Sequence, residues 1–188
     1  MNRRDAIKSA ALMLGYAASA TTIASVMQGC KADATPGWQP DFLSADQAQT
    51  LGDLAECILP TTETSPGAKE VGIVAFFDQM LKDVSTEDEK QYFLGELKKF
   101  EDDCKATHGK TFSKLAAAEQ TAMVQKYADA AQTASGDDDP FFTLVQEATV
   151  FGYFTSEKIG REYLKYDPIP GEYLGCIPYD EVGGVWSL

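Results

Sequence analysis

The chain predicts an all-α protein, a bundle of about five helices followed by an irregular, aromatic-rich C-terminal tail. Three observations carry that expectation. Apolar residues recur at spacings of three and four through most of residues 44–160. Capping boxes of the S/T-x-x-E/Q type stand at Ser44–Gln47 and Thr86–Glu89. No segment of any length alternates apolar and polar residues with a period of two, and none repeats.

The first helix follows Ser44, whose hydroxyl is placed to accept from the first turn while Gln47 reaches back. Ala48, Leu51, Ala55 and Ile58 share a face, and Pro60 stops the helix just after Leu59. A Thr/Pro/Gly-rich loop, Pro60 to Ala68, precedes a second helix marked by Val71, Val74, Phe77 and Met80 or Leu81. Ile73 and Phe76 widen its stripe and predict a central position.

Thr86 opens the third helix, with Glu87, Asp88 and Glu89 at the positive end of its dipole. It should run to about Ala106. Phe93, Leu97, Phe100 and Cys104 form its apolar stripe, and Glu96, Lys98, Lys99, Glu101, Asp102 and Asp103 its solvated side. Cys104 therefore reads as a buried thiol. A polar loop leads through His108 to Leu115, and an alanine-rich helix follows to about Ala134, with Ala122, Val124, Tyr127, Ala128 and Ala131 as packing candidates.

Ser135-Gly136-Asp137-Asp138-Asp139-Pro140 breaks the pattern and starts a fifth helix, Asp139 suited to cap it and Pro140 to its first turn. Phe141, Leu144, Val145, Ala148 and Phe151 are its apolar positions. From Arg161 onward Pro168, Pro170, Gly171, Gly175, Pro178, Gly183 and Gly184 forbid a regular helix. Tyr163, Tyr166, Tyr173, Tyr179 and Trp186 are spaced among them. So many rings predict a tail lying against a surface, either its own bundle or a partner.

The N-terminal residues carry an address. Arg3, Arg4 and Lys8 ahead of a mildly apolar run resemble a twin-arginine export signal, with Ala6 where that motif usually has Phe. Ser9 to Val26 is long enough for a membrane span but is diluted by Gly15, Tyr16, Ser19, Thr21, Thr22 and Ser25, which argues for a signal over an anchor helix. Two cleavage sites compete: Ala18-Ser19-Ala20, and Met27-Gln28-Gly29-Cys30, which looks like a relaxed lipobox. The position of Cys30, ending the apolar run before the polar Lys31–Gly37, favours its lipidation. Several acyl chains on one cysteine anchor stably, at about 0.8 kcal/mol per buried methylene. The expected organisation is an export signal at 1–29, a linker at 30–43 after lipidated Cys30, a helical domain at 44–160 and an extended tail at 161–188. The expected location is the periplasm, at a membrane of the bacterial envelope.

The formal net charge is −13, and removal of residues 1–29 takes it to −15. Nucleic acid and anionic lipid surfaces repel such a chain. Lipidation of Cys30 leaves Cys57, Cys104 and Cys176, enough for one intramolecular disulfide whose pairing spacing does not reveal. There is no CxxC and no CxxCH.

Recognisable chemistry is missing. No GxGxxG lies in a strand–turn–helix context, and there is no nucleophile elbow, phosphate-binding loop or HExxH pair. Asp137–Asp139 lacks the alternating ligands and terminal Glu of a calcium loop. The single histidine, His108, reads as a solvated loop residue, so a zinc site would need scattered cysteines. The sequence therefore proposes no catalytic, cofactor-binding or metal-ligating residue.

Short motifs in two places resemble a known family. Leu54, Ile58-Leu59-Pro60-Thr61-Thr62-Glu63, Pro66-Gly67-Ala68, Val71-Gly72-Ile73 and Phe76-Phe77-Asp78 look like the signature of the gluconate 2-dehydrogenase subunit 3 family. Phe151-Gly152-Tyr153-Phe154, Gly160, Tyr166, Pro170-Gly171 and Tyr173 to Cys176 resemble its closing segment. Glu63 departs from the Asp often found there, and the loop before Pro66 is a residue longer.

The resemblance implies a small subunit without a cofactor of its own, in a membrane-associated dehydrogenase complex. Its large partner would be an FAD-containing flavoprotein of the glucose-methanol-choline type that oxidises a sugar, sugar acid or polyol and passes electrons to a cytochrome c or another acceptor. Arg3 and Arg4 would then export the whole complex and Cys30 tether it. Pro60, Pro66 and Gly67 of the loop, with Tyr166, Tyr173, Tyr179 and Trp186 of the tail, are the expected contact residues. The competing expectation is a free-standing helical lipoprotein that binds a small ligand or an envelope protein.

Overall fold

Both capping boxes close as the local sequence requires. Ser44 Oγ accepts the Gln47 N–H at 3.3 Å while Gln47 Oε1 accepts the Ser44 N–H at 2.8 Å. Thr86 and Glu89 repeat the exchange at 3.4 and 2.7 Å. The computed structural model describes residues 38–134, 140–169, 171–172 and 175–187, all within one compact unit. The export signal and the Asp137–Asp139 run lie outside the described residues.

The protein is all-α. Among the described residues the helices are α1 (Ala45–Ile58), α2 (Ile73–Asp83), α3 (Glu87–His108), α4 (Ala117–Thr133), α5 (Phe141–Thr155), α6 (Glu157–Glu162) and α7 (Tyr179–Val182), with a 3-10 turn at Phe112–Lys114 before α4. Five of them are the helices the periodicity predicts. α6 and α7 are too short to show a period.

Several boundaries differ from expectation. α2 begins at Ile73, so Val71 sits in the turn ahead of it, and Leu81 rather than Met80 is its last buried position. His108 lies in the last turn of α3 and not in a loop; the helix ends at Gly109, whose φ of 70° is the left-handed stop that glycine adopts without strain. Pro140 is the extended N-cap of α5, one place before the first turn. Before α4, Ala116 has no side chain to cap with, and only the returning bond forms, Glu119 Oε2 accepting the Ala116 N–H at 2.9 Å.

The wide stripe on α2 does not make it central. α5 packs on α1, α2, α3, α4 and α6, whereas α2 packs mainly on α1 and α5 and reaches α3 through the Phe77–Phe93 pair. α1 is buried over an unbroken run, Thr50 to Ala55, because Gly52 and Ala55 let neighbours approach on several sides. A Cβ on Gly52 would already lie 3.0 Å from Val74 Cγ2.

The core is a chain of rings. Phe77 meets Phe93, Phe93 meets Phe141, and Phe141 meets Phe100, at centroid distances of 6.2, 5.6 and 5.9 Å. Phe112 of the 3-10 turn and Tyr127 of α4 each stand edge-on to Phe100 at 4.9 Å. Such pairs contribute about 0.5–1.5 kcal/mol each beyond the area they bury. α4 presents Met123 and Val124 to this core, while Ala122, a predicted packing residue, faces solvent. Phe151, predicted for the inner face of α5, is 60% exposed; Thr149, Gly152 and Tyr153 take the inward positions.

The predicted linker is part of the fold from Trp38 on. Leu43 is buried, and Trp38 and Phe42 pack against the core. Glu101, expected on the solvated side of α3, is half-buried and joins three elements. It accepts the Thr50 hydroxyl at 2.6 Å and the Phe112 N–H at 3.3 Å.

Candidate functional site

Two carboxylates shape the segment that carries the first motif. Glu56, in the last turns of α1, accepts the Thr61 N–H at 2.9 Å, the Thr61 hydroxyl at 2.8 Å and the Lys69 N–H at 3.0 Å. The loop after Pro60 therefore folds around one side chain. Thr61 Oγ1 in turn accepts the Gly67 N–H at 3.1 Å. A Cβ on Gly67 would collide with the Glu56 carboxylate and the Thr61 hydroxyl, so any larger residue would displace the side chains around which the loop folds. Tyr153 of α5 donates its hydroxyl proton to the Pro66 carbonyl at 2.7 Å, pinning the loop to the central helix.

Asp78 does the same for the chain entering α1. It is buried on α2 and accepts the backbone N–H groups of Asp41, Phe42 and Leu43 at 2.8, 3.0 and 2.7 Å. Lys82, one turn on, adds an ion pair to Asp41 at 2.9 Å. An acid inside the apolar stripe Val74, Phe77, Leu81 was a legible sign of a buried acceptor, although not of its donors, which lie at least 35 residues away. Asp53, buried on α1 between Leu51 and Leu54, pairs with Lys69.

The expected contact residues fall into two groups. Pro66 and Gly67 are buried inside the loop they form, whereas Pro60 is exposed at its start. Tyr166, Tyr179 and Trp186 are exposed, Tyr179 at 93%. Tyr173, Arg3, Arg4, Lys8 and Cys30 lie outside the described residues. α6 stands between loop and tail: Lys158 pairs with Glu70, in the turn just after the loop, and a Cβ on Gly160 would come within 2.8 Å of Ser187 Oγ.

Part of the tail turns back on the chain. The Lys165 N–H donates to Val185 O and the Ser187 N–H to Lys165 O, both at 2.8 Å, forming a parallel bridge between Lys165 and Trp186. Lys165 Nζ donates to Val182 O at 2.7 Å and lies 5.5 Å from the Trp186 ring centroid. Arg161 similarly covers Tyr166 at 5.8 Å.

Two of the thiols, Cys57 and Cys104, suit packing, whereas Cys176 is exposed. Cys104 is fully buried, and burial first, then the nearby Glu101 carboxylate, pushes its pKa up to about 12. Burial also raises Cys57, with Asp53 adding to the effect. Cys57, Cys104 and Cys176 are free. A thiol held protonated is a poor nucleophile and a poor metal ligand. Among the described residues no three His, Cys, Asp or Glu side chains gather as a metal site, and no helix is long and apolar enough to cross a membrane. His108 Nδ1 lies 3.7 Å from Glu119 Oε1 at the junction of α3 and α4. What the arrangement provides is rigid anchorage of two loops and a set of exposed rings.

A family model described as gluconate 2-dehydrogenase subunit 3 matches residues 45–171, more than half of the chain. The matched span runs from the first residue of α1 into the tail and contains Glu56, Gly67, Asp78 and Tyr153. No curated protein and no solved structure matches the chain.

Proposed function

This chain belongs to the gluconate 2-dehydrogenase subunit 3 family, and we propose that it is the non-catalytic small subunit of a periplasmic, membrane-associated dehydrogenase complex. Membership makes it a subunit of a multi-subunit assembly with partner chains. The catalytic partner in this reading is a flavoprotein of the glucose-methanol-choline type, which binds the FAD, oxidises a sugar, sugar acid or polyol and passes the electrons to a cytochrome c or another acceptor. The small subunit supplies export through Arg3, Arg4 and Lys8, a lipid tether through Cys30, and stability to the flavoprotein. Its exposed Pro60, Tyr166, Tyr179 and Trp186 are available for contact, and Tyr173 belongs to the same proposed set.

The family match over residues 45–171 carries this reading. Support also comes from what the motif residues do within the chain. Asp78 gathers three backbone donors, Gly67 admits the Glu56 carboxylate, and Tyr153 binds the Pro66 carbonyl. These are scaffold roles. The twin-arginine route carries proteins already folded, which a chain lacking a redox motif has no evident need of for itself. A partner folded around FAD in the cytoplasm has that need.

Changing Arg3 and Arg4 together to Lys tests the proposal. The flavoprotein should then remain in the cytoplasmic fraction, followed by its flavin absorbance and by immunoblot. Undiminished export of the flavoprotein in that double variant would count against the reading.

A further inference from the structure

We propose that the outer face of α5, formed by Val150, Phe151 and Phe154 and extended by Phe76 of α2, is the main surface through which this chain binds the large subunit of its complex. The inference rests on the preceding reading of the chain as an accessory subunit, and it moves the principal contact away from the Pro60 loop and the tail.

α5 carries two apolar stripes. Phe141, Val145, Gly152 and Tyr153 face inward and account for its packing in the bundle. Val150, Phe151 and Phe154 lie on the other side, at the third, fourth and seventh places after Glu147. Phe151 and Phe154 are 60% and 48% exposed. A helix apolar on opposite faces is one covered on both sides, and the bundle covers only one. Isolated exposed apolar residues are ordinary; adjoining phenylalanines at one helical spacing mark an interaction site.

The rings are held in place before any partner arrives. Phe76 lies against the bare backbone of Gly152, where a Cβ would approach to 2.6 Å. Its ring centroid is 6.0 Å from that of Phe151. Phe154 stands edge-on to Tyr153 at 5.4 Å, and the Tyr153 hydroxyl is bonded to Pro66 O. Rings with fixed neighbours lose little freedom on docking, and aromatic anchors of this kind dominate interface energies.

Charge selects the occupant. The described residues from Phe141 to Ser187 include seven acids, Glu147 among them, and only Lys158, Arg161 and Lys165 as bases. Lys158 and Arg161 are paired with Glu70 and Glu157, and Lys165 donates to a backbone carbonyl. A second copy would bring the same acidic surface, and an anionic membrane would be repelled. The complement is a different protein, with an apolar recess rimmed by Lys or Arg, and family membership provides for partner subunits.

The test uses the full chain, tagged at its C-terminus, purified from mildly solubilised native membranes. Flavin absorbance and the mass of the co-purifying large chain are read per mole of tagged protein. F151E and F154E should each reduce co-purifying flavoprotein by about tenfold or more, with melting temperatures by circular dichroism unchanged. A122E, on the exposed side of α4, adds the same charge and should retain the flavoprotein. Benzoylphenylalanine at position 151 gives an independent readout and should crosslink to the large chain. Flavoprotein retained by both α5 variants, or a crosslink only to a second copy or to lipid, would overturn the surface assignment alone. A wild-type chain that brings no flavoprotein would overturn the subunit reading and this inference together.

Discussion

Phenylalanine plays opposite parts on two sides of this molecule. Around Phe100 the rings of Phe93, Phe112, Tyr127 and Phe141 meet inside the bundle and join α3, α4, α5 and the 3-10 turn. Around Phe151, Phe154 of the same α5 and half-buried Phe76 of α2 form a second group at the surface, positioned by Gly152 and Tyr153, with Phe151 and Phe154 uncovered. Ring contacts have similar geometry in both places, so geometry does not distinguish them. Water does: the first cluster has already gained the free energy of leaving water, and the second can gain it only by association. The comparison teaches that one helix serves as the centre of a fold on one face and as an exposed ledge on the other.

The largest effect should come from the buried side. Phe100→Ala removes the ring shared by three contacts and leaves a cavity, with an expected loss of about 3–5 kcal/mol in unfolding free energy, measured by urea titration. A loss below about 1 kcal/mol would erase the contrast between the two clusters. Phe151→Glu should lie at the other extreme in the same titration.

A smaller effect sharpens the comparison by asking how much of the buried side is polar. Asp78→Ala strips the acceptor from three N–H groups, one of them on buried Leu43. The expected loss is about 1–3 kcal/mol. Amide hydrogen exchange should show Asp41, Phe42 and Leu43 losing protection while α5 keeps its own. Uniform loss across the chain would mean that the clasp and the core are one cooperative unit.

The smallest effect is electrostatic. Asp103 accepts the Tyr127 hydroxyl at 2.9 Å and Lys126 Nζ at 3.2 Å, and these bonds, Tyr127 first, hold its pKa below the ordinary 3.8. The same bond adds to burial in raising Tyr127. A carboxylate with a depressed native pKa contributes stability that is present above its unfolded value and lost as pH falls through the native one. The wild type should therefore lose more melting temperature between pH 5 and pH 2 than Asp103→Asn does. Equal losses would show that the bond adds nothing.

Much of the architecture was legible because it is locally encoded. A capping box needs residues three apart, and both boxes formed. The stripe Phe93, Leu97, Phe100, Cys104 repeats at the helical period and is buried throughout. On α4 Val124, Tyr127, Ala128 and Ala131 turn inward as their spacing predicts, but Ala122 faces solvent and Met123 is buried, because alanine packs on either side of a helix and marks no face. Periodicity alone puts Phe151 inward, because a second apolar stripe has the same period as the first. The contact residues divide in a similar way: Pro66 and Gly67 are recognisable as a motif, but their burial depends on Glu56 and Tyr153, which approach from elsewhere in the fold.

By itself the sequence determined the helical class, the main helix starts, the buried Cys104 and the family to which the chain belongs. Each depends on residues within a few turns of one another or on short motifs. Tertiary structure alone decided that α5 and not α2 is central, that residues 38–43 join the bundle, and that Phe100 is enclosed while Phe151 is bare. Those outcomes turn on partners far apart along the chain. Local propensity places a side chain on one face of a helix, but only the packing of distant segments determines which faces meet another element and which meet water.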